Sequence, residues 1–251
     1  MAELIPEMGE VRVFETAAEL MEAAAQEILK AALQAVSGRG RFTWALSGGS
    51  TPRDLYRRLA SDPFRSRMPW EAIHFFWGDE RHVPPDHPES NFRMAREAML
   101  DAVPIPLGNI HRIHSEEPDA ERAAAEYEDE IRSFFKVTEG EWPRFDLILL
   151  GLGKDGHTAS LFPGGTAVHE RERLVVAVLA SGVRITLTPP VLNHAWRVVF
   201  LVSGEDKAQA LQAVVTEGDG ARDPERYPAQ IVEGNRLWMV DRPAARLLAR
   251  R

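Results

Sequence analysis

An aspartate two residues before a histidine, in a glycine-rich stretch that follows an aliphatic run, is the arrangement in this chain best suited to acid–base chemistry. The stretch reads Gly151-Leu152-Gly153-Lys154-Asp155-Gly156-His157-Thr158-Ala159-Ser160-Leu161-Phe162-Pro163-Gly164. A neutral imidazole accepts a proton from water near neutral pH, and a nearby carboxylate fixes its tautomer. Whether Asp155 touches His157 is open at this level. Gly151, Gly153 and Gly156 also spell G-x-G-x-x-G, a dinucleotide-binding turn when it opens a long helix in a first βαβ unit. Here the run lies past mid-chain, and Pro163, Gly164 and Gly165 stop any helix within about two turns. Acid–base chemistry is therefore the preferred reading.

Other segments supply groups for an anion. Ser47-Gly48-Gly49-Ser50-Thr51-Pro52 follows the apolar run FTWAL. Pro52 suits the first helical position, with Thr51 as the N-cap. Free amides and hydroxyls at a helix amino terminus attract anions, although an ordinary capped turn has the same sequence. No Gly-Lys-Ser/Thr follows, so this is no Walker A loop. Gly78-Asp79-Glu80-Arg81 sits at the end of IHFFW, where two acids and an arginine can orient water, a hydroxyl or a phosphate. Arg184 in RITLT and Lys207 after VVFLVSG are further candidate anion donors. His111 and His114 invite a metal reading. On a strand, three-residue spacing sends them to opposite faces, so no metal site is expected.

The elements that must position these groups follow from periodicity. Strands are expected at Val11–Phe14, Phe42–Ser47, Ile73–Trp77, Ile110–Ile113, Phe145–Leu150, Leu174–Leu179, Arg197–Val202 and Arg236–Val240. Helices are expected from Thr16, as N-cap with Glu19 as capping-box partner, to about Val36, and near 52–60, 91–100, 119–135, 190–195 and 206–215. Near-continuous apolar strands alternating with helices predict an α/β domain: a mostly parallel sheet with helices on both faces. Ligands of such sheets bind at the carboxyl ends of the strands, which is where the candidate segments lie. Neither Pro84–Pro88 nor the polar 218–228 segment resembles an interdomain linker, so residues 1–251 are read as a single domain.

Composition sets outer limits. The chain has 251 residues, 44% hydrophobic and 27% charged, with a formal net charge of −8. The acidic balance argues against a nucleic-acid partner without excluding a small anionic ligand held by local donors. Cysteine is absent, which removes disulfides, a thiolate nucleophile and Cys-ligated zinc. No signal peptide is recognised, and no apolar run is long enough to cross a membrane. A cytoplasmic protein with a small-molecule substrate is expected, and the oligomeric state stays open, with a monomer favoured.

Together the segments SGGSTP, GDER, GLGKDGHTASLFPG, RITLTPPVLNHA and Gly204-x-x-Lys207 resemble the 6-phosphogluconolactonase family, in the family's order, from about Phe42 to Lys207. The resemblance implies a Rossmann-like fold shared with glucosamine-6-phosphate deaminases. It also implies hydrolysis of 6-phospho-D-glucono-1,5-lactone in the oxidative pentose phosphate pathway, without metal or cofactor. Carried onto this chain, it implies His157 as the base that activates water, with Asp155 orienting it. Asp79 and Arg81 would line the reacting end, and Gly48, Gly49, Ser50, Thr51, Arg184 and Lys207 would hold the phosphate. The related deaminases carry a glutamate five residues after the histidine. Here that position is Phe162, which cannot serve as an acid–base partner. A non-catalytic sugar-phosphate sensor would need an output module, and the residues before Phe42 show no basic helix-turn-helix pattern.

Overall fold

The computed structural model describes residues 2–5, 9–215 and 222–248. Its main sheet has seven strands in the order β1-β2-β10-β9-β6-β3-β4. These are β1 Ala2–Ile5, β2 Gly9–Phe14, β3 Phe42–Leu46, β4 Ile73–Trp77, β6 Leu147–Leu150, β9 Val198–Val202 and β10 Arg236–Asp241. Only β1 runs antiparallel, against β2; the other neighbours pair in parallel. All residues of β3, β6, β9 and β10 are buried. That is the pattern of strands covered on both faces, and it is why β6 and β9 read as unbroken apolar runs. Large rings fill the interior: Phe200 stacks on Trp238 with centroids 3.8 Å apart, and Trp44 meets Tyr56 edge-on.

The helices are α1 Ala17–Arg39, α2 Ser50–Leu59, α3 Phe64–Arg67, α4 Asn91–Ala98, α5 Ala120–Phe135, α6 Pro189–His194 and α7 Ala208–Val215. Thr16 caps α1 as expected, accepting the Glu19 amide at 3.1 Å. The reciprocal bond differs: the Glu19 carboxylate takes the Glu15 amide, one residue before the cap. The helix also runs past Val36 through Gly38. A single internal glycine is tolerated, and the stop comes at Gly40, whose φ of 76° permits the left-handed closing turn.

Two strand expectations are corrected. Ile110–Ile113 is not a strand; Ile110 makes one isolated parallel bridge to Phe75. The Leu174–Leu179 run forms β7 Val175–Ala180, but in a separate sheet of order β5-β8-β7. Its partners are β5 Asp79–Arg81 and β8 Gly182–Leu187, both antiparallel. Here GDER is a strand in its own right, and RITLT lies on a strand that periodicity did not reveal. β5 has only three residues, and β8 is exposed at its start and buried at its end, so neither has the uniform burial of the central strands.

Topology decides where a ligand can sit. The chain leaves β3 through α2 toward β4 on one side, and leaves β6 toward β9 on the other. The strand order therefore reverses between β3 and β6, and the crevice at such a switch point is the binding place of doubly wound sheets. The SGGSTP loop follows β3 and the histidine loop follows β6, so the two flank that crevice.

Candidate active site

The histidine loop makes a tight turn and opens no helix, which disposes of the dinucleotide reading. Gly153 N–H donates to His157 O at 2.8 Å, and Gly156 N–H to Gly153 O at 3.1 Å. Within this turn Asp155 Oδ1 accepts from the His157 backbone N–H at 3.1 Å and sits 2.6 Å from His157 Nδ1. Burial opposes ionisation of Asp155, but the hydrogen bond from the His157 amide and the pull of the His157 ring outweigh it and hold its pKa below the usual value. A carboxylate has no proton to give, so Nδ1 carries the hydrogen and Nε2 presents a lone pair. That imidazole can take a proton from water.

Two glycines make the turn possible. A methyl group at Gly153 would overlap the His157 ring and meet Asp155 Oδ1 at 2.6 Å. One at Gly156, where φ is 84°, would meet Tyr227 Cδ1 at 2.7 Å. Tyr227 belongs to the 218–228 segment that the sequence marks only as polar; residues 218–221 lie outside the described residues. Ala229 N–H bonds Gly156 O at 2.9 Å, so this segment braces the loop from outside. The His157 ring packs on Phe162 with centroids 4.6 Å apart. Ala159 adopts φ 46°, a left-handed conformation costing a non-glycine residue roughly 1–2 kcal/mol.

Across the crevice, Tyr56 fixes the end of β3: its hydroxyl accepts from Ser47 N–H at 2.9 Å and donates to Ser47 O at 2.8 Å. The expected cap is corrected. Helix α2 starts at Ser50 with Gly49 as N-cap, at φ 101° and with no side chain capping it. Thr51 and Pro52 are therefore inside the first turn, where a missing N–H costs nothing because it would have no helical partner. Ser50 and Thr51 open onto a cavity of about 410 Å³ shared with Ala17, Ala18, Met21, Asp54 and Ser203. Uncapped amides beside two hydroxyls suit an oxyanion. Lys207 lies four residues after Ser203, in the turn after β9, with Nζ 3.8 Å from Asp206 Oδ2; Lys154 of the histidine loop reaches the same oxygen at 3.4 Å.

Alternation along β5 separates its three polar residues. Asp79 and Arg81 share one face and Glu80 takes the other. In register, Asp79 pairs with Thr186 and Arg81 with Arg184. Among the described residues, neither Arg81 nor Arg184 forms an ion pair. Arg81 Nη1 donates to Glu89 O, and Arg184 Nη2 to Ser181 Oγ at 3.3 Å. Burial, then the charge of Arg81, lowers the pKa of Arg184. The charges of Asp79, Glu89 and Glu80 act on Arg184 in the opposite sense. Arg184 also lies 6.0 Å from the Phe162 ring, which connects it to the His157 side of the crevice.

Sequence reasoning named Glu80 only as one of the two acids of GDER and missed its anchoring role, and it missed Asn91. Glu80 is buried and accepts from the backbone N–H groups of Arg81, Asn91 and Phe92, each at 2.7 Å, and from Ser90 Oγ at 3.0 Å. It ties β5 to the amino terminus of α4. Burial raises its pKa against the pull of these bonds. Asn91 Nδ2 donates to Asp79 O at 2.9 Å, and its amide occupies the space a Gly48 side chain would need. Reading GDER as a strand would have flagged Glu80; nothing local marks Asn91. We expect Glu80→Ala to leave one buried and two part-buried amides unpaired and to cost about 3 kcal/mol of unfolding free energy. Urea unfolding checks this, and an unchanged midpoint would remove that anchoring role.

His111 and His74 lie side by side, with Nε2 and Nδ1 3.1 Å apart, and His111 Nδ1 bonds Glu130 at 2.7 Å. Burial, then His111 and Arg41, pushes the pKa of His74 down to about 4. Among the described residues no group of three or more potential ligands can hold a metal ion, and no helix is long and apolar enough to cross a membrane.

A family profile described as "Glucosamine-6-phosphate isomerases/6-phosphogluconolactonase" matches residues 15–239. A 6-phosphogluconolactonase from Synechocystis is 48% identical over 214 residues, covering 84% of this chain and 86% of the relative. The solved structure of 6-phosphogluconolactonase from Trypanosoma brucei superposes with a TM-score of 0.84 at 31% identity, covering 95% of this chain and 98% of that one. A monomeric glucosamine-6-phosphate deaminase has a TM-score of 0.77 at 21% identity over 94% of this chain and 99% of its own, a likeness of fold.

Proposed function

Because the chain belongs to the glucosamine-6-phosphate isomerase/6-phosphogluconolactonase family, we propose that its 251 residues form one catalytic unit that hydrolyses 6-phospho-D-glucono-1,5-lactone to 6-phospho-D-gluconate. The activity is that of a carboxylic ester hydrolase of the oxidative pentose phosphate pathway, and the setting is the cytoplasm. The observation that carries the reading is the His157–Asp155 pair on the loop after β6, the strand that neighbours β3 and its uncapped α2. Phe162 packed on His157 leaves no carboxyl group at the position where the deaminases carry theirs.

In this mechanism His157 Nε2 takes a proton from water as the water oxygen bonds to the lactone carbonyl carbon. The carbonyl π electrons move to oxygen, and this oxyanion needs donors aimed at it. The Arg81 guanidinium on β5 is the candidate donor, because the Gly153 and Gly156 amides of the histidine turn are already bonded within it. Collapse of the tetrahedral intermediate breaks the bond to the ring oxygen, which takes the proton from the imidazolium. Asp155 stabilises that imidazolium and keeps the ring oriented. Gly48, Gly49, Ser50 and Thr51, with Arg184 and Lys207, hold the phosphate. Being remote from the reacting carbon, it contributes binding energy that positions the lactone. No step draws on a metal or cofactor.

The test is hydrolysis of lactone generated in situ, read against its spontaneous opening; folded protein that gives no acceleration sinks the reading. Arg184→Ala and Lys207→Ala are each expected to raise KM by about tenfold or more with kcat nearly kept, the mark of lost ground-state binding. A fall in kcat at unchanged KM would move either residue from the phosphate to the reacting end.

A further inference from the structure

We infer that Ser160 is a positioning residue for Asp79, holding one carboxylate oxygen so that the other is presented to a hydroxyl of the substrate. The inference rests on the lactonase reading. Asp79 comes from β5 of the small sheet and Ser160 from the loop that carries His157. Ser160 Oγ donates to Asp79 Oδ2 at 2.7 Å, the short length typical of an O–H bonded to a charged acceptor. Both residues are buried. The Ser160 amide is itself anchored, donating to Thr186 Oγ1 on β8 at 3.2 Å. The hydroxyl therefore has a fixed base and a single strong acceptor.

The two oxygens of Asp79 are not equivalent. Among the described residues Oδ1 receives only a long contact, 3.4 Å, from Asn91 Nδ2, whose shorter bond goes to the Asp79 backbone carbonyl. A carboxylate oxygen can accept about two hydrogen bonds, so Oδ1 keeps acceptor capacity. A sugar-derived lactone carries adjacent hydroxyls, donors that match it. Rotation of a carboxylate about its terminal torsion is broad, and the Ser160 bond selects one orientation. The same bond ties the small sheet to the histidine loop, which sets the separation between the recognising carboxylate and the base.

Ser160→Ala removes the donor without adding volume. In otherwise unchanged protein it is expected to lower kcat/KM for the lactone by about tenfold, mostly through KM. In an Asp79→Asn background, which keeps the side-chain shape, the same substitution is expected to lose less than about threefold, because the group it acts through has lost its charge. Thermal unfolding of all four proteins confirms that folded enzyme is compared. An equal loss in both backgrounds, or no loss in the parent chain, overturns the inference while the parent's turnover leaves the lactonase reading standing. A folded parent without lactone turnover overturns the lactonase reading and the inference with it.

Discussion

His157→Ala is expected to lower kcat for lactone hydrolysis by about a thousandfold, within the range contributed by a positioned general base. The side chain is one-third exposed, 32%, with one ring nitrogen bonded to Asp155. Removing it opens no interior cavity, so the unfolding temperature should barely move. The proposed phosphate donors sit on other elements: the start of α2, β8 and the turn after β9. Affinity for 6-phosphogluconate should therefore fall little. The separation of a lost kcat from a kept affinity is what identifies a base, as opposed to a residue whose loss loosens the pocket. Rates must be corrected for spontaneous lactone opening. Turnover of the variant at the parent's rate would remove His157 from this role.

Gly153→Ala is expected to lower kcat by about a hundredfold without touching the acid–base groups themselves. Gly153 is not among the glycines with positive φ, so alanine meets no backbone penalty there and the added methyl acts by its volume alone. That volume is already taken by the His157 ring and by Asp155 Oδ1. Gly153 is also hydrogen bonded to His157 through N–H and to Gly156 through its carbonyl, so the turn cannot shift aside without breaking both bonds. The methyl must displace the pair, and a misplacement of about 1 Å is enough for such a loss. Steady-state kinetics with ring-nitrogen NMR of His157 checks this: kcat falls and the Nδ1–Asp155 bond is lost together. A variant with parental kcat and an intact ring bond would show that the turn accommodates the methyl.

Much of this was legible in the sequence because it is local. The runs at Phe42–Leu46 and Leu147–Leu150 announce strands buried on both faces, and the glycines that end them announce turns. The contact of Asp155 with His157 spans two residues, so a motif can carry it. The α/β class follows from alternation of such runs with helices, and the family follows from motifs that keep their order along the chain. The errors are also local in origin. Pro52 suits the first position of a helix, but it is tolerated throughout the first turn, so the cap moved to Gly49. GDER is too short to show a period, so its strand and the inward turn of Glu80 stayed hidden.

What tertiary structure alone decided is which loops meet. Strand order, and with it the switch point between β3 and β6, comes from pairing among segments about a hundred residues apart; the Asp146–Thr43 bonds beside that pairing span 103. Ser160 reaches Asp79 across 81 positions. Asn91 fills the space beside Gly48, Tyr227 closes over Gly156, and Arg184 faces Arg81. None of these has a spacing a sequence could display. Backbone preferences and side-chain periodicity act over a few residues, so a sequence states its turns, caps and strand faces directly. Which distant faces pack together is settled only by burial of the whole apolar surface at once, and the parts of the site that depend on it became visible only in the fold.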